Sequence, residues 1–274
     1  MRLPTNTDLP PSWPAGSVTH RVVYRVEVGA AGRILAELPF PLNRRAIALM
    51  SGDATPAEME LLSVPFENPE DAELIARVRE WIAVGASAPQ MITFQGAQLF
   101  WGAGRAAVIA PQSRLTALEV LLAELAYFEL EIGAIEKSLG GFWPDLEADA
   151  GPAFELDERT HRNRKKLGER FRQLLGLRAR LTRILPFVQT PHVYPPTLAS
   201  QVSERLRERL RMEHRIEILR QQLDVFERIY DACGTRVSEF TASKKGHLLE
   251  MIIIVMLAAQ TMLVLFEVLT IARN

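Results

Sequence analysis

The strongest hydrophobic periodicity in the chain lies in its last quarter. Ile216, Leu219, Leu223, Phe226, Tyr230, Cys233, Val237 and Phe240 recur at spacings of 3-4-3-4-3-4-3. A period of about 3.5 keeps one edge of a helix against a partner, so these positions predict a heptad seam on a long helix over residues 198–247. Lys244 and Lys245 follow, and residues 251–266 (MIIIVMLAAQTMLVLF) then run 16 positions without a charge. That stretch alone rises about 24 Å, short of a hydrocarbon core of about 30 Å; residues 248–271 rise about 36 Å and suffice with some tilt. The pattern predicts a tail helix over 248–271 that anchors the chain in a membrane. Its lipid-facing residues would be Met251, Ile252, Ile253, Ile254, Val255, Met256, Leu257, Met262, Leu263, Val264, Leu265 and Phe266. Glu250 and Glu267 would stand at the two interfaces, and Gln260, near mid-span, needs a helical neighbour. The lysine pair before the span places the main body on the cytosolic side, with few residues beyond the membrane.

Patterns change in the N-terminal third. Residues 1–17 are proline-rich with no apolar run, which predicts a loose arm and not a secretory signal. Residues 18–28 (VTHRVVYRVEV) alternate and are rich in valine, as in a strand. Residues 29–33 look like a turn, and within 34–66 the runs 47–50 and 60–64 read as short strands around Ser51-Gly52-Asp53. Asn68-Pro69-Glu70 signals a helix start, and Leu74, Ile75, Val78, Trp81 and Ile82 carry helical spacing up to about Gly85. Residues 91–94, 97–101 and 106–110 read as three strands punctuated by Gly96, Gly102 and Gly104. Together 18–110 make a small mixed α/β domain.

Beyond Pro111 the periodicity is helical, giving a helical region over 111–197. Leu118, Leu121, Leu122, Leu125, Phe128 and Ile132 share one face of a helix over 116–139, which Gly140-Gly141 is expected to stop before an acidic connector at 142–156. Asp157 or Thr160 would cap the next helix, carried by Leu167, Phe171, Leu174, Leu181 and Leu185 and ended by Pro186. Residues 190–197 (TPHVYPPT) form a proline-locked loop. The class is therefore α+β: a small mixed unit, a helical region, a long coiled-coil-like helix and an apolar tail.

Charge sharpens this division. The net charge of -1 conceals 11 Lys/Arg against 21 Asp/Glu in residues 1–157, and 21 against 12 in 158–274. A basic half calls for an anionic partner or for the acidic half of its own chain. Ten of its cations fall within 158–185, and Arg159, Arg162, Arg164, Lys165, Lys166, Arg170 and Arg172 are the candidate contacts to RNA, a ribosomal surface or anionic lipid. Few aromatics are interleaved, so base-specific stacking is not expected.

Candidate chemistry is sparse. Glu158 and His161 form one Glu-x-x-His, but His20, His192, His214 and His247 supply no second copy for a di-metal site. Gly102-x-Gly104 lacks the remainder of a dinucleotide fingerprint and reads as a hairpin turn. Cys233 is the lone cysteine and sits on the seam, where it acts as a small core residue and not as part of a disulfide frame. No Walker lysine, Gly-x-Ser-x-Gly or His-Glu-x-x-His is present. Neither an enzyme nor a metal or cofactor site is expected.

Four stretches carry a family likeness: Leu99-Phe100-Trp101-Gly102; Thr190-Pro191 with Tyr194; Arg215 to Leu219 through Leu223-Asp224-Val225; and His247-Leu248-Leu249-Glu250 before Met251 to Ile254. In that order they resemble the required-for-meiotic-nuclear-division family, a domain of unknown function, over roughly two thirds of the chain. Gln189, His192 and Gln260 depart from its pattern. The resemblance implies a membrane-associated, non-catalytic protein; mitochondrial members are tied to the inner membrane and to organellar translation, and no catalytic residues carry over.

The sequence thus leads to a tail-anchored scaffold or tether at a bacterial or organellar inner membrane, a homo-oligomer whose partners are membrane lipid and, through the basic helix, RNA or a ribosome. No small-molecule substrate is identified. The competing expectation is a soluble oligomeric enzyme or small-molecule binder that buries the apolar tail as a subunit-core helix.

Overall fold

The computed structural model describes residues 13–25, 32–49, 55–68, 71–83, 89–154, 164–189 and 197–273; side chains of 150–154, 164, 237 and 265–273 are outside that description. The expected α+β class is observed. Seven strands come first: β1 (Val18–Arg25), β2 (Gly32–Leu38), β3 (Arg44–Leu49), β4 (Met59–Pro65), β5 (Gln90–Phe94), β6 (Ala97–Gly102) and β7 (Arg105–Ala110). Helix α1 (Ala72–Ile82) lies between β4 and β5, and the remaining helices follow the sheet: α2 (Gln112–Phe154), α3 (Arg164–Val188), α4 (Leu198–Arg209) and α5 (Met212–Arg273). The chain divides into two compact units, residues 1–136 with 179–219 and residues 137–178 with 220–274, and each of the three long helices contributes to both.

In the first unit the strands form one sheet in the order β2-β3-β1-β4-β7-β6-β5. All neighbours are antiparallel except β4 and β7, whose parallel pairing needs the crossover that α1 and the β5–β6 hairpin supply. Asp71 caps α1, its Oδ1 accepting from the backbone N–H of Glu73 and Leu74 at 2.9 and 3.0 Å. Strand alternation then sorts the core. Leu62, Val64, Phe100, Ala107 and Ile109 pack with Leu74, Val78 and Ile82 of α1. His20 and Tyr24 point to the opposite face, where the Tyr24 hydroxyl donates to the Ala123 carbonyl of α2 at 2.6 Å. Positive φ at Gln95 (46°) and Gly96 (77°) makes the two-residue β5–β6 turn that matches strand twist. A Cβ at Gly102 would meet the Ile82 side chain at 2.6 Å, so only glycine lets β6 pass α1 there.

The expected loose arm is corrected over residues 13–17. Trp13 packs on the α1 core cluster, and the Ser17 hydroxyl donates to the Pro14 carbonyl at 2.7 Å. The ambiguous segment 34–66 resolves into β2, β3 and β4, while Ser51-Gly52-Asp53 lies outside the described residues.

Three helix ends also differ from expectation. Helix α2 continues through Gly140-Gly141 and takes in most of the expected acidic connector. Each glycine costs about 1 kcal/mol of helix propensity, but the turns beyond them place Trp143 4.9 Å from the Phe226 ring and bury Leu146. Helix α3 passes Pro186 to Val188; Val188 is fully buried, and Arg207 donates to the terminal carbonyls of Phe187 and Val188 at 3.3 and 2.9 Å. The single long helix expected from residue 198 is two helices. Arg211 adopts φ 51° between α4 and α5, and α4 has its own capping box at Thr197 and Ser200. The expected boundary at residue 247 also vanishes, because seam and apolar segment belong to one 62-residue helix.

Candidate functional site

The heptad seam acts within the chain. Ile216 and Leu219 are buried in the first unit, Leu223, Phe226, Tyr230 and Cys233 in the second; Phe240 is half-buried, and the Val237 side chain lies outside the described residues. In the second unit α2 supplies the partner edge. Phe142 and Trp143 meet the Phe226 ring edge-on at 6.5 and 4.9 Å, and the Tyr230 hydroxyl donates to Asp149 Oδ2 at 3.1 Å. The Cys233 Sγ donates to the Asp149 carbonyl at 3.7 Å. Burial, reinforced by the Asp149 charge, pushes both the Tyr230 hydroxyl and the Cys233 thiol above their ordinary ranges.

Acidic residues of α2 take up much of the basic helix. Arg170, expected to contact an anionic partner, is instead buried with its two nitrogens on Asp145 and Asp149. A buried guanidinium needs such carboxylates, and holding them leaves it unable to reach an external phosphate. Arg178 pairs with Asp224 and Glu227 of α5, and Arg180 donates to Glu131 at 2.8 and 3.1 Å. Lys165, Lys166 and Arg172 are exposed. Arg159 and Arg162, together with Glu158, His161 and the cap candidates Asp157 and Thr160, lie outside the described residues, as does the Arg164 side chain.

In the first unit Arg215 is clasped by Glu129 and Glu136 of α2. On the sheet face beneath α2, Glu119 lies 3.7 Å from His20 Nε2 and 3.8 Å from Arg33. The neighbouring His20 holds the Glu119 carboxyl below its usual range against the opposing effect of burial, with help from Ser63 and Arg33. No group of three or more His, Cys, Asp or Glu able to hold a metal occurs among the described residues.

The ion pairs were missed at the sequence level because their members lie 21 or more positions apart. Their trace was the charge asymmetry, which named the acidic half as an alternative partner without naming residues.

Beyond Gly246 the character of α5 changes. Leu248, Leu249, Met251 to Leu257 and Met262 to Val264 are all 51–70% exposed. Seven consecutive residues, Met251 to Leu257, cover nearly two helical turns, so every side of the helix is apolar and none is covered by the described residues. By length and composition this helix is able to cross a membrane; its most apolar 18-residue window has mean hydropathy 2.0 and is entirely unburied. Leu265 and Phe266 continue the helix, with side chains outside the described set. Thr261 returns its hydroxyl to the Leu257 carbonyl at 2.7 Å, which satisfies that group without water.

No family model matches the chain, and no curated protein matches it. Among solved structures it is similar to the full-length CmaX protein, with 13% identity over 76% of this chain and 77% of that one and a TM-score of 0.39. It is also similar to the complete CorA magnesium transporter from Methanocaldococcus jannaschii, with 9% identity over 76% and 78% and a TM-score of 0.36. At those scores the likenesses identify neither a family nor an activity.

Proposed function

We propose that this protein is a non-catalytic scaffold held at a membrane by residues 248–271 of α5. One observation carries the reading: a helix that is packed by α2 through Cys233 continues, without a break, into a segment apolar on every face and covered by none of the described residues. Water does not tolerate that arrangement, and a bilayer does. The nine Ile, Val, Leu and Phe residues within 251–266 each favour insertion by about 0.3–0.6 kcal/mol, roughly 3–5 kcal/mol together. Lys244 and Lys245 precede the span and favour a cytosolic body. The resemblance to the required-for-meiotic-nuclear-division family implies the same setting.

The basic helix fits an anionic surface better than it fits RNA. With Arg170, Arg178 and Arg180 engaged by carboxylates, the exposed cations of α3 reduce to a short set that includes Lys165, Lys166 and Arg172. Lys165 and Lys166 belong to the same compact unit as the apolar segment. Headgroups at the membrane surface satisfy such a set without sequence recognition.

Membrane fractionation tests the reading. The full chain should stay with membranes through high salt and alkaline carbonate and be released by detergent. A chain truncated after Lys245 keeps the whole seam and should become soluble. Release of the full chain without detergent, or a monodisperse detergent-free oligomer, would instead favour burial of the helix between copies.

A further inference from the structure

Between α3 and α5 in the second unit lies a groove of about 540 Å³, within the range of small-molecule sites. Its walls are amphiphilic. Phe171 contributes an apolar side, Ser238 and Thr241 contribute hydroxyls, and Lys245 contributes an ammonium at one end. The other end is closed by Tyr230, whose hydroxyl is committed to Asp149. Open space lies over two glycines of the lining: a Cβ added at Gly168 or at Gly234 would meet nothing within 4 Å.

The placement of Lys245 decides what fits. It stands three residues before Leu248, about 4–5 Å along the helix from the start of the apolar segment. Lys165 and Lys166 are exposed where α3 begins, directly before the groove residue Leu167, and Lys244 lies 4.9 Å from the Phe240 ring centroid. Exposed Glu169 on α3 and exposed Asp231 and Glu239 on α5 adjoin groove residues, Glu239 paired with Arg236 at 2.9 Å, and Lys165, Lys166, Lys244 and Lys245 outnumber them. An occupant entering from the bilayer must present a negative group at Lys245 and hydrogen-bonding groups about 6–10 Å further on, at Thr241 and Ser238.

We propose that the groove receives the headgroup of an anionic phospholipid that bears hydroxyls beyond its phosphate. The phosphate rests on Lys245, the headgroup hydroxyls exchange hydrogen bonds with Ser238 and Thr241, and the acyl chains stay in the bilayer beside Leu248 and Met251. This rests on the membrane reading of α5, and its effect is to make that attachment selective for lipid.

The test uses the full chain in detergent micelles, with lipid retention followed by native mass spectrometry. The probes are phosphatidylglycerol and phosphatidylcholine with identical acyl chains, and glycerol 3-phosphate as a competitor. The wild type should retain phosphatidylglycerol in preference to phosphatidylcholine. Lys245→Gln should reduce that preference about fivefold, the contribution of one lysine near a headgroup. Gly168→Leu and Gly234→Leu should abolish it by filling the groove, and both should keep the wild-type circular dichroism because the new side chains enter open space. Equal retention of the two lipids, or full selectivity in both leucine variants, overturns the proposal. Displacement of lipid by glycerol 3-phosphate would mark a small-anion site and also overturns it. A dimer lost in Gly234→Leu would show the groove to be filled by a second copy, with the same consequence. Carbonate extraction of the same variants separates the two readings: the groove fails alone if the wild type stays membrane-bound without lipid preference, and the anchor fails alone if it washes off yet still selects phosphatidylglycerol.

Discussion

Arg215 holds Glu136 as a fork on a carboxylate, Nε to Oε1 at 2.7 Å and Nη2 to Oε2 at 2.7 Å, while its Nη1 reaches both oxygens of Glu129 at 2.7 and 2.8 Å. Glu129 and Glu136 lie seven residues apart, two turns along α2, so a planar guanidinium spans both where an ammonium cannot. Arg215→Lys should cost about 1 kcal/mol and Arg215→Ala about 2–3 kcal/mol, because the latter takes the shared cation from two partly buried carboxylates. Denaturant midpoints measure this; equal stability of the lysine variant and the wild type would show the fork to be without consequence.

Gly140 and Gly141 sit inside α2 with open space where a Cβ would be. Gly140→Ala and Gly141→Ala should each raise stability by about 0.5–1 kcal/mol, since alanine loses less backbone entropy in a helix. Thermal melts of the two variants read this directly. Destabilisation by either would mean that the helix does not run through the pair.

An arginine in the middle of the apolar segment should weaken membrane attachment. Leu257→Arg introduces a cost of about 2.5–3.5 kcal/mol at a helix centre, comparable with the whole favourable sum for the span. The carbonate-resistant fraction should fall accordingly, whereas Leu257→Met should leave it unchanged. Identical resistance of the arginine variant would place this segment outside the hydrocarbon.

Glu119 makes stability depend on pH. Its carboxyl is held below the usual range chiefly by the neighbouring His20, so it releases its proton more readily folded than unfolded. Such a group stabilises the fold above the unfolded value of about 4.3, and the contribution disappears as pH falls through the lower folded value. Glu119→Gln should therefore be less stable than the wild type above about pH 5, with the two converging on acidification. A difference that is constant with pH would show that the carboxylate charge is not what stabilises the pairing.

Cys233 should resist thiol reagents at neutral pH. Burial, and then the Asp149 charge, raise its thiol above the ordinary value, and the side chain is fully enclosed on the seam. Labelling with a disulfide reagent should be slow in the folded protein and fast after denaturation. A native rate equal to that of a free thiol would place the residue at the surface.

Much of this protein was determined by local pattern. The α+β class, the Gly96 hairpin, the start of α1 near Asn68 and the buried seam from Ile216 to Cys233 all follow from interactions between residues within a turn or two of each other. The apolar segment was equally legible, because its character rests on composition and needs no partner. Only the tertiary structure decided where the helices end and which charges meet. Gly140-Gly141 and Pro186 carry local helix-breaking costs of a few kcal/mol at most, which burial of Leu146 and Val188 and packing of Phe142, Trp143 and Phe187 offset. The arginines of α3 were countable in the sequence, but a charge count has no geometry. Folding brought Asp145 and Asp149 against Arg170, and with them decided that this side chain is part of the structure and not part of a surface.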